Sequence, residues 1–298
     1  MSSKPTVTAR FHAPPEDLRR YFTSFYITEI TSPDGQPVVD ALQPEWGNLR
    51  FFNGAAPHSW IEGGDQIDGK RFVATGPSSR CANFSLGSSR FWGMGLLPLG
   101  WARFVCQPAA AHANLIADGH THPTFSQFVP LADALFASDG DEQKELETIV
   151  SFFRSLPPCP KLNETQVLAI HSAMIDPQVS SVGELVERIG TSQRTIERVC
   201  DRAFGFSPKL LLRRQRFMRS LAQFMLDPSL KWIGAMDSQY HDQAQFVRDF
   251  REFMGMTPSD YASRPHPVLE QFIHARARNH GVAVQTMDSP DGAKRPPA

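Results

Sequence analysis

The sequence has 298 residues, of which 41% are hydrophobic and 20% are charged, and its formal net charge is −1. This composition is ordinary for a globular protein of two domains, and the net charge says nothing about a polyanionic partner because only the local distribution of charge is informative. No apolar run approaches the roughly 20 residues of a membrane-spanning helix, and the first residues lack the apolar core of a secretory signal. We therefore expect a cytoplasmic protein without membrane contact.

The first 128 residues contain short apolar stretches separated by turn signals such as Pro33-Asp34-Gly35 and Glu62-Gly63-Gly64-Asp65. Short strands at this spacing indicate a small β-sheet or barrel. Gly100–Cys106 is compatible with a short helix, and 141–156 has apolar residues at the spacing of an amphipathic helix. The apolar stripe of that helix has two interpretations, a dimer contact or packing against its own β domain.

Metal and disulfide chemistry are not indicated. The cysteines are far apart, without Cys-x-x-Cys spacing, which argues against a zinc ribbon or a disulfide framework and fits a reducing compartment. His120 and His122 are two positions apart, so on a strand both side chains would lie on one face, as two metal ligands do. However, no third ligand follows at a recognisable spacing, and Pro123 comes directly after them. We expect a polar loop here, and neither a metal nor another cofactor. The cysteines are Cys81, Cys106, Cys159 and Cys200.

Prolines at positions 157, 158 and 160 interrupt the chain, since proline cannot continue a helix and restricts the residue before it. From Asn163 to Tyr261 the pattern predicts one helix after another. Beyond Arg264, Leu269–Ala277 is compatible with a helical turn, and the last dozen residues have the composition of a disordered segment. The predicted units are 1–156, a proline-rich linker at 157–163, a helical domain at 164–264 and a partly disordered tail at 265–298.

The strongest signal is an internal repeat with a spacing of about 50 residues. Ser192-Gln193 recurs as Asp242-Gln243, and Phe204-Gly205-Phe206-Ser207-Pro208 recurs as Met254-Gly255-Met256-Thr257-Pro258. Serine and aspartate are N-cap residues, because their side-chain oxygen accepts from the free N–H groups of the first helical turn. The glycine suits a helix end that needs a positive φ, and the following Ser-Pro or Thr-Pro suits the start of the next helix.

An apolar helix is predicted in front of each cap, over 181–189 in the first copy and 231–238 in the second. Helix, tight turn and capped helix form a helix-turn-helix, whose second helix enters the major groove of DNA. Between the copies, 208–226 has a continuous helical pattern of roughly 19 residues, or about 28 Å. This length is compatible with two recognition helices about 34 Å, or one DNA turn, apart.

Charge supports the same interpretation. Residues 194–219 carry eight basic side chains against two acidic ones in a nearly neutral protein. A basic patch attracts phosphates, although a charge run alone is also typical of a solvated helix face. The basic residues are Arg194, Arg198, Arg202, Lys209, Arg213, Arg214, Arg216 and Arg219.

Residues 181–262 resemble the AraC/XylS family of bacterial transcription regulators, in the second copy most clearly. The segment Ser192–Arg198 of the first copy is also similar to the family. Residues 1–155 resemble the sensor half of one subset of the family, through Phe91–Trp101 and Phe128–Phe136. The positions that carry the resemblance in the second copy are Tyr240, Asp242, Ala244, Phe246, Arg248, Phe250, Arg251, Gly255, Thr257, Pro258 and Tyr261.

Two positions depart from the family pattern. Gln239 stands where the pattern has glycine, and Gly234 stands where an apolar helix residue is usual. Glycine within a helix costs about 1 kcal/mol relative to alanine, and the turn loses its most adaptable residue at position 239. The second helix-turn-helix is therefore expected to be looser than the first.

The resemblance implies an α+β chain, with a mainly β N-terminal domain flanked by helices and an all-α C-terminal domain of two helix-turn-helix units joined by a linker helix. We expect the exposed early turns of each recognition helix to face the groove, where arginine favours guanine and glutamine favours adenine. At each position, a phosphate contact or simple solvation is the alternative. The candidate DNA-binding residues are Gln193, Arg194, Thr195, Arg198, Arg202, Gln243, Ala244, Gln245, Arg248 and Arg251.

We predict a sequence-specific DNA-binding transcription regulator that is not an enzyme, controlled by a ligand or by dimerisation through its N-terminal domain. The expected partners are double-stranded DNA, a small-molecule effector, a second copy of the chain and, for an activator, RNA polymerase. The alternative is an enzyme domain at 1–155 that the C-terminal domain recruits to DNA, but the sequence has no metal-clustered cysteine, phosphate-binding glycine loop or nucleophile elbow. A non-specific architectural DNA binder is disfavoured because the two recognition helices differ in sequence.

Aromatic residues of the first domain are candidates for the lining of an effector pocket, although aromatics in a β domain are usually core. None of them can be assigned to a pocket from the sequence. These residues are Trp46, Phe51, Phe52, Trp60, Phe91 and Trp92.

Overall fold

The computed structural model describes residues 5–157, 159 and 163–290. Within these residues, ten β-strands lie between positions 6 and 118 and form two antiparallel sheets. The strands are β1 (Thr6–His12), β2 (Phe22–Thr31), β3 (Val38–Leu42), β4 (Asn48–Gly54), β5 (His58–Ile61), β6 (Gln66–Asp68), β7 (Phe72–Thr75), β8 (Ala82–Leu86), β9 (Ser89–Leu96) and β10 (Ile116–Asp118).

The larger sheet has the strand order β1-β2-β9-β4-β7-β10, and the smaller sheet has the order β3-β8-β5-β6, counted over the described chain. The larger sheet is covered on both faces. From β2, Phe25 and Ile27 pack towards the helices of the same domain, whereas Tyr26 and Ile30 pack towards the smaller sheet. A strand covered on both sides is apolar throughout, which explains the aromatic run that precedes position 28 in the sequence.

The rest of the described chain is mainly helical, and eleven α-helices lie between positions 98 and 280. α1 continues directly into a π-helical turn, Trp101–Val105, so the short helix predicted near Gly100–Cys106 is present. The helices are α1 (Pro98–Gly100), α2 (Val129–Ala134), α3 (Glu142–Ser155), α4 (Glu164–Ile175), α5 (Val182–Ile189), α6 (Gln193–Val199), α7 (Pro208–Leu226), α8 (Lys231–Ala235), α9 (Gln243–Met254), α10 (Pro258–Ala262) and α11 (Pro267–His280).

The α+β prediction is confirmed, with a β-rich N-terminal half and a helical C-terminal half. None of the helices in the described residues is long and apolar enough to span a bilayer. The predicted linker, 157–163, lies largely outside the described residues, and so does the end of the tail from position 291.

The amphipathic helix α3 packs against its own β domain. Its buried residues Ile149 and Phe153 belong to the same core as Phe22, and the rings of Phe22 and Phe153 lie 4.6 Å apart. Asp141 caps the helix by accepting from the backbone N–H of Lys144 at 3.2 Å. Of the two interpretations of the apolar stripe, the structure favours intramolecular packing.

A buried carboxylate fixes α3 on the larger sheet. Glu145 is 1% exposed and accepts two hydrogen bonds from the guanidinium of Arg90, at 2.8 and 2.6 Å. The indole Nε1 of Trp92 donates to the same carboxylate at 2.6 Å. Arg90 and Trp92 both lie on β9, so one side chain of α3 accepts from two side chains of this strand.

The segment after position 265 is more ordered than its sequence indicates. The predicted helical turn is a helix of 14 residues, α11, which returns from the helical domain to the β domain. Asp40 of β3 holds its beginning, because the Asp40 carboxylate accepts from the backbone N–H groups of Val268 and Leu269, at 2.9 Å each. An acidic group at a helix N-terminus satisfies otherwise unpaired donors.

Further along, Gln285 joins the tail to the β domain. Its amide oxygen accepts from the backbone N–H of Trp46 at 2.9 Å, and its amide nitrogen donates to Thr23 at 3.2 Å. In the other direction, the side chain of Gln215 on α7 donates to the carbonyl oxygen of Thr286 at 2.6 Å. The tail therefore contacts both halves of the described chain.

Replacement of Glu145 by glutamine is expected to lower the free energy of unfolding by about 3 kcal/mol, because the guanidinium of Arg90 loses its buried counter-charge. Glu147→Gln on the same helix removes an exposed carboxylate and is the matched control, with an expected change of about 0.5 kcal/mol or less. Chemical denaturation followed by tryptophan fluorescence measures both. Equal effects of the two substitutions would contradict the role given to Glu145.

Candidate DNA-binding interface

The first helix-turn-helix has the predicted form. α5 begins with a capping box, in which Ser181 and Glu184 exchange hydrogen bonds between side chain and backbone. Gly190 ends this helix with a φ of +69°, a conformation that favours glycine. The side chain of Ser192 then accepts from the backbone N–H of Thr195 at 3.3 Å and starts α6.

The second helix-turn-helix has the same capped recognition helix but a shorter first helix. Asp242 accepts from the backbone N–H of Gln245 at 2.6 Å and starts α9, and Gly255 ends that helix at a φ of +70°. The first helix was predicted over 231–238, but α8 ends at Ala235.

Contacts with α7 explain why α8 stops early. The backbone N–H of Asp237 donates to the hydroxyl of Ser220 at 2.8 Å, and the Asp237 carboxylate accepts from Arg219. Both Ser220 and Arg219 lie on α7, so this helix holds position 237 outside a helical conformation. The prediction was wrong at these positions because the competing hydrogen bonds come from a distant element.

The predicted linker helix is confirmed over Pro208–Leu226, with 19 residues. Its first turns pack in the core of the first helix-turn-helix, where Leu211 joins Ile196. Its later turns pack in the core of the second, where the ring of Phe217 lies 5.3 Å from that of Phe250. One rigid helix therefore contributes to the cores of both units.

A single buried carboxylate joins α7 to the second recognition helix. Asp249, on the inner face of α9, is 2% exposed. It accepts from Arg213 at 2.7 Å, from Arg216 at 3.0 Å and from the hydroxyl of Tyr240 at 3.1 Å. The acidic residue that interrupts the apolar face in the sequence is thus fully paired, as a buried charge needs to be.

Eight of the ten candidate DNA-binding residues are exposed, and Thr195 and Gln245 are half-buried at the caps. They lie on α6 or α9, except Arg202, which lies on the π-helical turn Cys200–Phe204 that extends α6. The residues between them on the inner faces, Ile196 and Phe246, are buried as expected. The exposed face of each recognition helix is therefore polar or basic, and its inner face is apolar.

The expectation of one continuous basic patch is wrong for half of its members. Arg213, Arg216 and Arg219 form ion pairs with Asp249 or Asp237 inside the helical domain. Their charges hold α7 against the second unit, so they are not free to bind a phosphate. The exposed members are Arg194, Arg198, Arg202 and Lys209.

Arg214, the fourth internal member, is fully buried between α7 and the β domain. Its guanidinium donates to the carbonyl oxygen of Ser78 at 2.7 Å and lies 4.1 Å from the ring centroid of Trp46. Within the described residues, its Nε and Nη2 have no hydrogen-bond partner. Burial lowers the pKa of this guanidinium to about 9, so the contact between α7 and the β domain carries a cost of desolvation.

The loss of the usual turn glycine at position 239 causes no backbone strain. Gln239 is not among the described non-glycine residues with a positive φ, so this turn does not need glycine. Its side chain accepts from Arg219 at 2.8 Å and donates to the carbonyl oxygen of Pro177, which precedes α5. Gln239 therefore links the second unit to the first.

A loop of the β domain contacts both helix-turn-helix units and α7, and we call its residues 77–81 the contact loop. At its start, Pro77 lies against Gly205, where an added side chain would meet the proline Cβ at 3.1 Å. Ser78 binds Arg214, as described above. At its end, the backbone N–H of Cys81 donates to the carbonyl oxygen of Phe253 at 2.9 Å. The C-terminal ends of both recognition helices thus rest on one loop.

The histidines and cysteines that were considered for metal chemistry have other contacts. His120 lies beside Asp118, with 3.7 Å between Nδ1 and Oδ1, and the side chain of His122 accepts from the backbone N–H of Thr124. Over the described residues, no three His, Cys, Asp or Glu side chains are grouped as a metal site would require. Burial raises the pKa of the Cys81 thiol to about 12, which keeps it protonated at neutral pH.

A comparison with protein families agrees with this geometry. Residues 185–264 match the family model described as a helix-turn-helix domain. No curated protein matches the chain.

Several solved structures are similar to the chain over most of its length. The crystal structure of ToxT from Vibrio cholerae O395 has 9% identity and a TM-score of 0.41, covering 88% of this chain and 97% of that one. A second ToxT structure from Vibrio cholerae, in a P21 crystal form, has 7% identity and a TM-score of 0.43, over 87% and 98% of the two chains.

The matched model and the two capped helix-turn-helix units define a DNA-binding protein of the helix-turn-helix class. The domain is of the AraC type, as the sequence motif implied. The chain is therefore a DNA-binding transcription regulator with a β-rich N-terminal domain.

Asp249→Asn is expected to loosen α9 without changing any of the exposed candidate DNA-binding side chains. The substitution removes the buried charge that pairs Arg213 and Arg216, at a cost of about 3 kcal/mol in local stability. Hydrogen exchange of the α9 amides measures this destabilisation directly. Glu252→Gln, which also contacts Arg213 but is exposed, should cost about 1 kcal/mol or less. Unchanged exchange in Asp249→Asn would contradict the role of this carboxylate.

Proposed function

We propose that this regulator reads a specific DNA site with both recognition helices, α6 and α9, held at a fixed separation by α7. One observation carries the proposal. In both helices the N-terminal half is capped, exposed and polar, whereas the C-terminal end is buried. The N-terminal half of a recognition helix is the part that reaches base edges in this class of domain.

The proposed base contacts come from the first turns of each helix. We propose that Arg194 and Arg198 in α6, and Arg248 in α9, bind guanine bidentately, and that Gln193 and Gln243 contact adenine. Arg202 and Arg251 lie further along the helices, where backbone phosphates are the nearer targets. Ala244, Thr195 and Gln245 complete the proposed surface, in which apolar and hydroxyl groups can contact thymine methyl groups or phosphates.

We propose that the β domain adjusts the two recognition helices through the contact loop. The loop joins β7 to β8, and both strands line a cavity between the two sheets, to which they contribute Thr75 and Ala82. A small molecule in this cavity would act on the strands that flank the contact loop. Among the aromatic candidates from the sequence, Phe52 and Phe91 line the cavity, while Trp46 and Trp92 lie in other cores.

Further partners stay predictions. A second copy of the chain, and RNA polymerase in the case of an activator, are expected from the class of protein, and a cytoplasmic location is expected for a bacterial-type DNA-binding regulator. The apolar stripe of α3 packs on its own domain, so it is not available as a dimer contact.

The enzyme alternative has little chemical support in the described residues. A methyl-accepting or nucleophilic cysteine would need an accessible thiol of low pKa. Cys81 is buried with a raised pKa, and burial raises the pKa of the Cys106 thiol to about 12 as well.

Selection from a random DNA pool with the full chain tests the proposal. We expect one asymmetric motif that spans about two helical turns. In the double variant Arg194→Ala/Arg198→Ala, affinity for the selected site should fall at least about 30-fold, since each bidentate contact contributes about 1 to 3 kcal/mol. The dependence of log Kd on log salt should also become shallower, by about 0.9 for each phosphate that the variant no longer neutralises.

Arg154→Ala is the control, because it removes a positive charge from the surface of α3, outside both recognition helices, where Arg154 pairs with Asp17. Its affinity and salt dependence should equal those of the wild type. Relaxed specificity at one base position would identify a base contact, and uniform weakening would identify a phosphate contact. Absence of any enriched motif from the wild-type selection would contradict specific reading.

A further inference from the structure

The cavity between the two sheets has one wall that does not belong to the β domain. Phe52 and Phe91 come from the larger sheet, and Phe84 and Leu86 come from the smaller one. The remaining wall includes Val268 and Phe272 of α11, the helix that follows the DNA-binding domain. These two residues are four positions apart, so they lie on the same face of the helix.

With α11 in place, the cavity is too small for an ordinary ligand. Its volume is about 40 Å³, whereas a dry protein cavity that admits benzene has a volume of roughly 150 Å³. Phe272 fills much of the adjoining space, since its ring packs against the rings of Tyr26 at 5.2 Å and Phe11 at 5.6 Å. A molecule of even one aromatic ring therefore needs the space that Phe272 occupies.

An adjacent face of α11 packs against the DNA-binding domain. Leu269 and Ile273 belong to the core that contains Phe217 of α7 and Phe250 of α9. The beginning of α11 is held by Asp40, and only four residues separate α11 from α10. A displacement of α11 from the cavity therefore disturbs the core of the second helix-turn-helix.

We propose that α11 is a plug for this cavity, and that a small, mainly apolar ligand and the docked helix exclude each other. This inference rests on the proposed control by the β domain and specifies how that control works. A ligand that enters displaces Val268 and Phe272, and the displacement loosens the contact of the second recognition unit with the β domain. An empty cavity keeps α11 docked.

The lining sets the chemical class of the ligand. Most lining side chains are apolar, and the ion in the wall is already paired, because Arg50 donates to the hydroxyl of Tyr26 at 3.0 Å and to the carboxylate of Glu45. An anionic ligand would have to compete with Glu45 for this guanidinium. A neutral aromatic or aliphatic molecule, with at most one polar group for Ser59 or Asn83, fits the lining better.

Toluene is the probe, with benzoate as its charged counterpart, and binding to the full chain is measured by calorimetry. Phe272→Ala creates the missing space without removing the helix, so this variant should bind toluene at least tenfold more tightly than the wild type. Val268→Ala is a milder version that should act in the same direction, should the first variant fold poorly. Ala82→Val fills the cavity from β8 and should abolish binding. Benzoate should bind more weakly than toluene throughout.

Hydrogen exchange of the α11 amides distinguishes a helix that the ligand displaces from a helix that closes over the ligand. In the wild type, saturating toluene should speed exchange in α11, because the ligand takes the place of Phe272. In Phe272→Ala, toluene should leave the exchange of α11 unchanged. Slower exchange in ligand-bound wild type would overturn the proposal, since it would show a pocket that α11 closes over its ligand.

The absence of toluene binding in Phe272→Ala and in Val268→Ala would also overturn it. That outcome is distinguishable from failure of the proposed function, because DNA reading is measured separately with the selected site and the arginine variants. A chain that selects a DNA motif but binds no probe contradicts the plug alone. A chain that binds the probe with faster α11 exchange but selects no DNA motif contradicts specific reading alone.

Discussion

The packing of α7 on three sides is the constraint on which the rest of the described structure depends. Its first turns complete the core of one helix-turn-helix unit, and its later turns complete the core of the other. Its third side presses Arg214 against Trp46 and Ser78 of the β domain. Because a helix of 19 residues is stiff and about 28 Å long, the separation of the recognition helices is set by this element. Any change in how the β domain holds α7 reaches both recognition helices together.

The contact between the halves combines stabilising and costly features. The N–H of Cys81, the cap at Asp40 and the amide of Gln285 form ordinary hydrogen bonds across it. Among the described residues, Arg214 has no counter-charge there, and two of its nitrogen atoms lack a hydrogen-bond partner. A regulator needs such a balance, because a contact that a ligand can alter must be neither negligible nor much stronger than the energy of ligand binding.

Local sequence signals predicted much of the helical domain. Ser192, Asp242, Gly205 and Gly255 each act within one helical turn, so their roles in caps and helix ends were readable and are confirmed. The early end of α8 and the internal pairing of Arg213 depend on residues up to 36 positions away, which a local pattern does not contain. The docking of α11 depends on Asp40, more than 200 positions earlier. A charge count over α7 could not show which arginines turn inward.

The most direct test of a two-headed reader with a fixed spacing is the affinity of the full chain for its selected site after insertions between the two half-elements. An insertion of 5 base pairs places the second element on the opposite face of DNA, and an insertion of 10 restores the face but adds about 34 Å. Because α7 cannot lengthen, both insertions should reduce affinity to that of a site with one element destroyed. Full affinity for either inserted site would contradict the account.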